Sequence, residues 1–228
     1  QLGTWCLDGK AENSVTPLTA IKELLGEKRV NYAAGLEYSR DKKTTQFSNA
    51  VSAARKSDAV IFFGGEEWIL SGEGQCRGEI NLPGAQSELI AELVKTGKPV
   101  ILVILAGRPL AIGKEIEESG AVLYAWHGGT MAGPAIADLL FGKESPSGKL
   151  PVTFVKGSGQ IPFYYYRNNT GRPATQQSWT PIDSIPVENP QTSLGYKSFQ
   201  LDYGFTPLLP FGYGLSYTTF TYSDLSLS

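Results

Sequence analysis

Between Gly64 and Gly84 the chain reads GGEEWILSGEGQCRGEINLPG. Four carboxylates (Glu66, Glu67, Glu73, Glu79), one guanidinium (Arg77) and one indole (Trp68) are spread among six glycines. This mixture suits proton transfer on a polar ligand: a carboxyl gives up and takes back a proton, an arginine tunes it, and an indole offers a flat stacking face. Loop glutamates mostly face water, and that is the expectation for Glu67 and Glu79. Glu66 follows an apolar run and two glycines, where it can brace neighbouring loops. Glu73 stands between Gly72 and Gly74, at the apex of a bend that pushes its carboxyl outward. Trp68 precedes it by five residues and Arg77 follows by four. Glu73 is therefore the candidate catalytic residue, with Glu66, Trp68 and Arg77 as candidate substrate-binding residues. An arginine beside a carboxyl lowers its pKa and burial raises it; a general acid at neutral pH needs the second.

Four apolar runs and the helical patterns between them must position this loop. RVNYAAG (Arg29 to Gly35), DAVIFFGG (Asp58 to Gly65), KPVILVILAG (Lys98 to Gly107) and AVLYAW (Ala121 to Trp126) read as strands. The third is the strongest, because a continuous β-branched run marks a strand covered on both faces. Helices are predicted over Thr16 to Leu25, Thr44 to Lys56, Pro83 to Thr96, Pro109 to Ser119 and Ala132 to Phe141. Alternation of this kind predicts an α/β fold, a three-layer αβα sandwich around a mostly parallel sheet. SPSGKLPVTF predicts an antiparallel edge strand, and TTFTYSDLSLS a β-like tail. The domain reading is 1–156 for the sandwich, 157–214 for a long loop extension, and 215–228 for the start of a fibronectin-like β domain. Ligands of open parallel sheets bind beyond the carboxyl ends of the strands. Three segments lie there: Gly64 to Gly84, AGRPL (Ala106 to Leu110) and WHGGTMAGP (Trp126 to Pro134).

Several chemistries fall away. The net charge of -2 and the lack of a basic block give no support to nucleic acid or an anionic membrane as partner. No run reaches the about 18 apolar residues of a membrane span. Cys6 and Cys76 have no metal-type spacing, and Cys76 reads as a free thiol. The single histidine, His127, is too little for a His-rich metal site. GEGQCRGE is not a G-x-G-x-x-G, and no G-K-[ST] is present, so a nucleotide is not expected. No metal and no cofactor is expected. His127 reads as structural, hydrogen-bonded to a loop. Arg108 lines an interface or charges a helix start; Asp138 and Lys149 support the fold; Tyr164, Tyr165 and Tyr166 pack on the sandwich or on another domain.

Five blocks occur in order: GGEEWILSGEGQCRGEINLPGAQSELI, TGKPVILVILAGRPLAI, ADLLFGKESPSGKLPVTF, GQIPFYYYRNNTGRP and PLLPFGYGLSYTTF. Together they closely resemble the αβα-sandwich domain of the family-three glycoside hydrolases, the β-glucosidase and β-xylosidase family. The resemblance implies a retaining exo-glycosidase acting on an oligosaccharide. Its acid/base glutamate comes from the sandwich loop, at the position of Glu73 in SGEGQCR. Its aspartate nucleophile comes from an N-terminal (β/α)-barrel domain, in the same precursor or in a companion chain. A barrel of about 250 residues does not fit beside the sandwich, so the chain alone is expected to turn over no glycoside. A secreted or periplasmic enzyme is implied, and a homodimer is left open. The competing reading is a non-catalytic structural or glycan-binding module with Glu73 merely exposed.

Overall fold

In the computed structural model, residues 1–167, 171–190 and 194–227 are described. Three parallel strands, β1 (Val60–Gly65), β2 (Val100–Leu105) and β3 (Ala121–Tyr124), lie in that order. Val60 pairs with Val100 and Gly65 with Leu105; Ile101 pairs with Ala121 and Ile104 with Tyr124. Five helices flank them: α1 (Pro17–Leu25), α2 (Phe47–Arg55), α3 (Gln86–Val94), α4 (Gly113–Glu118) and α5 (Ala132–Leu140).

The side-chain alternation of β2 explains the layering. Leu102 and Ile104 pack with Phe47, Ala50 and Ala54 of α2, with Leu89, Ile90 and Leu93 of α3, and with Ile112 and Ile116 at α4. Val103, with partly buried Leu105, faces Ala132 and Ile136 of α5, and α1 joins this layer by packing Ala20 and Ile21 on Ala137. A strand with successive residues on opposite faces must be apolar throughout when helices cover both. Leu102, Val103 and Ile104 are all fully enclosed, each contributing about 1.5–3 kcal/mol by burial. The result is the expected αβα sandwich.

The helices start and stop for local reasons. Thr16 caps α1 by accepting the Thr19 N–H at 3.1 Å, Pro17 occupies the first turn, and Gly26 ends the helix at φ 86°. In α3 the buried residues Gln86, Leu89, Ile90 and Leu93 recur at helical spacing.

Two predicted strands are absent among the described residues. RVNYAAG begins at the end of a short 3-10 turn, Glu27–Arg29, and continues as chain without strand pairing. Its Tyr32 is exposed, and only Ala33 from this stretch packs on the main core, so it lacks the apolar row a two-faced strand needs. The antiparallel edge strand at SPSGKLPVTF shrinks to one bridge, Phe154 to Leu209. The Leu150 N–H also donates to the Tyr213 carbonyl, and its carbonyl accepts the Gly212 N–H, but Pro151 and Pro210 carry no N–H and interrupt the ladder. Residues 218–227 hold no strand, and Phe220, Tyr222, Leu225 and Leu227 are exposed.

Candidate active site

The loop after β1 leaves the sheet at Gly65, whose φ of +121° and closeness to β2 admit no side chain: an added Cβ would lie 2.0 Å from the Leu105 carbonyl oxygen. Glu66 N–H continues the ladder to that oxygen at 2.8 Å. Gln86, at the start of α3, ties the base of the loop. Its Oε1 accepts the Gly65 N–H at 2.7 Å, and its Nε2 donates to the carbonyls of Gly65 (2.8 Å), Ser39 (2.7 Å) and Pro83 (3.1 Å).

Above this base the Glu66 carboxylate is fully enclosed. Arg77 Nη1 donates to its Oε1 at 2.5 Å, and Arg108 Nε to its Oε2 at 3.0 Å. Both guanidinium groups go further. Arg77 Nη2 reaches the Asn81 carbonyl at 2.9 Å. Arg108 Nη2 reaches the Gln75 carbonyl at 2.8 Å and also the Leu70 carbonyl. A buried carboxylate needs its charge matched and its lone pairs filled, and two arginines supply both. Arg108 is itself fixed from β3. The Tyr124 hydroxyl donates to the Arg108 carbonyl at 2.5 Å and accepts the Leu110 N–H at 3.2 Å. Burial holds that phenol well above the ordinary tyrosine range, so it remains a donor.

Other contacts fasten the rest of the loop. Thr4 Oγ1, from the N-terminal segment, donates to the Trp68 carbonyl at 2.6 Å and lies in bonding contact with the Ser71 carbonyl. Glu67 pairs with Arg40, and its N–H donates to Ser39 Oγ at 3.3 Å. Ser158 Oγ donates to Glu79 Oε2 at 3.1 Å and accepts the Ile80 N–H at 3.2 Å. Of the two glutamates expected to face water, Glu79 is exposed and also bonds Ser158, while Glu67 is partly covered and pairs with Arg40.

Glu73 differs. It is exposed, between Gly72 at φ +132° and Gly74 at φ +75°, and makes no hydrogen bond or ion pair among the described residues. The Gln75 N–H closes the turn on the Gly72 carbonyl at 3.2 Å. Trp68 opens a short 3-10 turn (Trp68–Leu70) and is 56% exposed, so its indole face is available to a ligand. Glu66, Arg77 and Arg108 therefore meet in one buried cluster, while Trp68 and Glu73 stand on the open side of the loop.

The remaining candidates sort by contact. His127 stands against Gly3 and Gly107, and both ring nitrogens are enclosed without a hydrogen-bond partner among the described residues. The expected bond to a loop is replaced by packing. Burial pushes its pKa below the ordinary histidine value, helped by the nearby amino terminus and opposed by Glu66. Asp138 pairs with Lys143 at 3.1 Å, and Lys149 Nζ donates to the Gly214 carbonyl. Tyr164 stacks on Tyr166 and Tyr165 on Phe211, all exposed, beside an open hollow of about 360 Å³ that contains no residue of the β1 loop. Both cysteines are free thiols. No group of three or more His, Cys, Asp or Glu among the described residues could hold a metal, and none of their helices is long and apolar enough to cross a membrane.

A family profile described as "Glycosyl hydrolase family 3 C-terminal domain" matches residues 1–217. The chain belongs to glycosyl hydrolase family 3. This family-3 domain is 40% identical over its full length to the periplasmic beta-glucosidase of Salmonella typhimurium, covering 30% of that protein. Over 93% of its length it is 39% identical to a beta-xylosidase of Formosa agariphila, covering 27%. Among solved structures it is similar to the beta-glucosidase of Listeria innocua in complex with isofagomine: TM-score 0.82, 34% identity, 95% of this chain and 28% of that one. The domain thus spans less than a third of these relatives.

Gln86, Thr4 and Ser39 escaped the sequence reading. Their partners are backbone groups, most of them 21 to 67 residues away, and backbone groups carry no letter. The one signal was a glutamine in the first turn of a helix predicted to be apolar inward.

Proposed function

We propose that this domain donates the acid/base glutamate, Glu73, to a retaining exo-β-glycosidase that removes terminal β-D-glucosyl residues from oligosaccharides. One observation carries the reading. Of the four loop carboxylates, Glu66, Glu67 and Glu79 are engaged, and Glu73 alone is free among the described residues, at the outward tip. Family membership and relatives named as beta-glucosidases support the reaction. In this mechanism Glu73 protonates the glycosidic oxygen as a barrel aspartate, outside this chain, attacks the anomeric carbon. The alcohol leaves, and a glycosyl-enzyme ester forms. Glu73, now a carboxylate, takes a proton from water, which attacks the same carbon and releases the sugar. Retention places the two carboxyls about 5–5.5 Å apart.

Trp68 stacks on the leaving-group side of the pocket. Arg77 and Glu66 serve binding by fixing the wall behind the substrate, because the Glu66 carboxylate has no exposed face of its own. The enzyme works outside the cytoplasm, as the Salmonella relative's name says of that protein. Glucose is favoured over xylose by the beta-glucosidase complexes among the structural relatives, and kcat/KM on matched aryl β-glucosides and β-xylosides tests it.

The decisive experiment uses the complete enzyme. Glu73→Ala should lose about 10²–10⁴-fold in kcat/KM on poor leaving groups and little in kcat/KM on activated ones, while kcat on the activated ones falls for want of a base in the second step and is revived by azide, which needs none. Full activity in that variant would instead mark the sandwich as a non-catalytic module. The same panel of aglycones reads Trp68→Ala, whose KM should rise with aromatic aglycones; a constant KM removes that assignment.

A further inference from the structure

The β1 loop is tethered at many points on both sides of its tip. Gly65 is held by Gln86, residues 68 and 71 by Thr4, residues 70 and 75 by Arg108, residue 77 by Glu66, residues 79 and 80 by Ser158, and residue 81 by Arg77. The two carbonyls gripped by Arg108 bracket residues 71–74, the segment that carries Glu73. One guanidinium therefore fixes both feet of the tip. It is held in turn by the buried Glu66 carboxylate at the end of β1 and, through its own carbonyl, by Tyr124 on β3.

We propose that Arg108 is a positioning residue for the glycosidase reaction: by bridging the Leu70 and Gln75 carbonyls from its seat on Glu66, it sets where the Glu73 carboxyl stands at the scissile oxygen. This rests on Glu73 being the acid/base. The chemistry selects arginine for the role. A planar guanidinium offers several donors in fixed directions, so one group satisfies a carboxylate and two carbonyls at once; a lysine ammonium has no such fork. Its effect falls on proton transfer rather than on substrate affinity, because the groups it holds are main-chain atoms of the loop. A displacement of about 1 Å in a reacting group costs on the order of 10²-fold in rate.

The test compares three forms of the full-length enzyme: native, Glu73→Ala and Arg108→Met. Each is assayed on an activated 2,4-dinitrophenyl β-glucoside and on a poor leaving group such as a simple alkyl β-glucoside. Arg108→Met should lose about 10–10²-fold in kcat/KM on the poor leaving group and less than threefold in kcat/KM on the activated one, whose kcat instead falls with the second step, where Glu73 acts as base. Equal losses on both substrates, or none, overturn the proposal. The Glu73→Ala arm separates the two ideas: if it shows no leaving-group dependence, the acid/base reading itself has failed. Should Arg108→Met not fold, Arg108→Lys replaces it, keeping a charge for Glu66 but not the double bridge. It should show the same split, with faster amide hydrogen exchange confined to residues 70–75; an unsplit loss or unchanged exchange there overturns the proposal equally.

Discussion

His127 is held against Gly3 and Gly107 with both nitrogens away from water, and burial lowers its pKa. The unfolded chain protonates this ring near pH 6.5, the folded one only at lower pH. Stability is therefore complete above about pH 6.5 and declines as pH falls from there towards the folded-state value, because the unfolded state takes up the proton first. Between pH 6.5 and 5 the unfolding midpoint of His127→Gln should fall less steeply than that of the native chain; parallel slopes would show that the imidazole is not the group responsible. At this scale the sequence was informative about placement and silent about partners. The glycines around Glu73 marked an outward carboxyl, and the tip does project. Glu79 is exposed as it reads, but the partners of Glu67 and Glu79, Arg40 and Ser158, lie 27 and 79 residues away and leave no local mark.

At the scale of elements, the helices and the three central strands were legible, since their signals are local: Thr16-Pro17 at a start, Gly26 at an end, an unbroken apolar run in β2. The misread pieces depended on distant partners. Arg29 to Gly35 found no strand to pair with, and Leu150 to Phe154 found a proline-interrupted one. Gly65 links element to site, because the turn that launches the loop exists only while that residue has no Cβ. Gly65→Ala must either push β1 from β2 or abandon a φ of +121°. We expect a loss of at least about 2–3 kcal/mol, measured by urea unfolding; a loss under 0.5 kcal/mol would mean that the strand end yields freely.

At the scale of the whole chain, the described residues form a complete sandwich, and the proposed function needs a second domain to supply the nucleophile. The chain's tip carboxyl, exposed indole and row of exposed tyrosines face outward, and the relatives it matches are more than three times its length. A retaining mechanism needs a second carboxyl close to the first. The isolated chain should therefore hydrolyse an aryl β-glucoside no faster than its Glu73→Gln form. Turnover above that level would mean that the chain holds both groups.

The tethers of the β1 loop address main-chain oxygens at 65, 68, 70, 71, 75, 81 and 83, whatever side chains those residues carry. Mutational drift can thus rewrite Ile69, Leu70, Gln75, Cys76 and Asn81 without cutting a single strap. A randomised library at these five positions would vary the face of the loop on an unchanged frame.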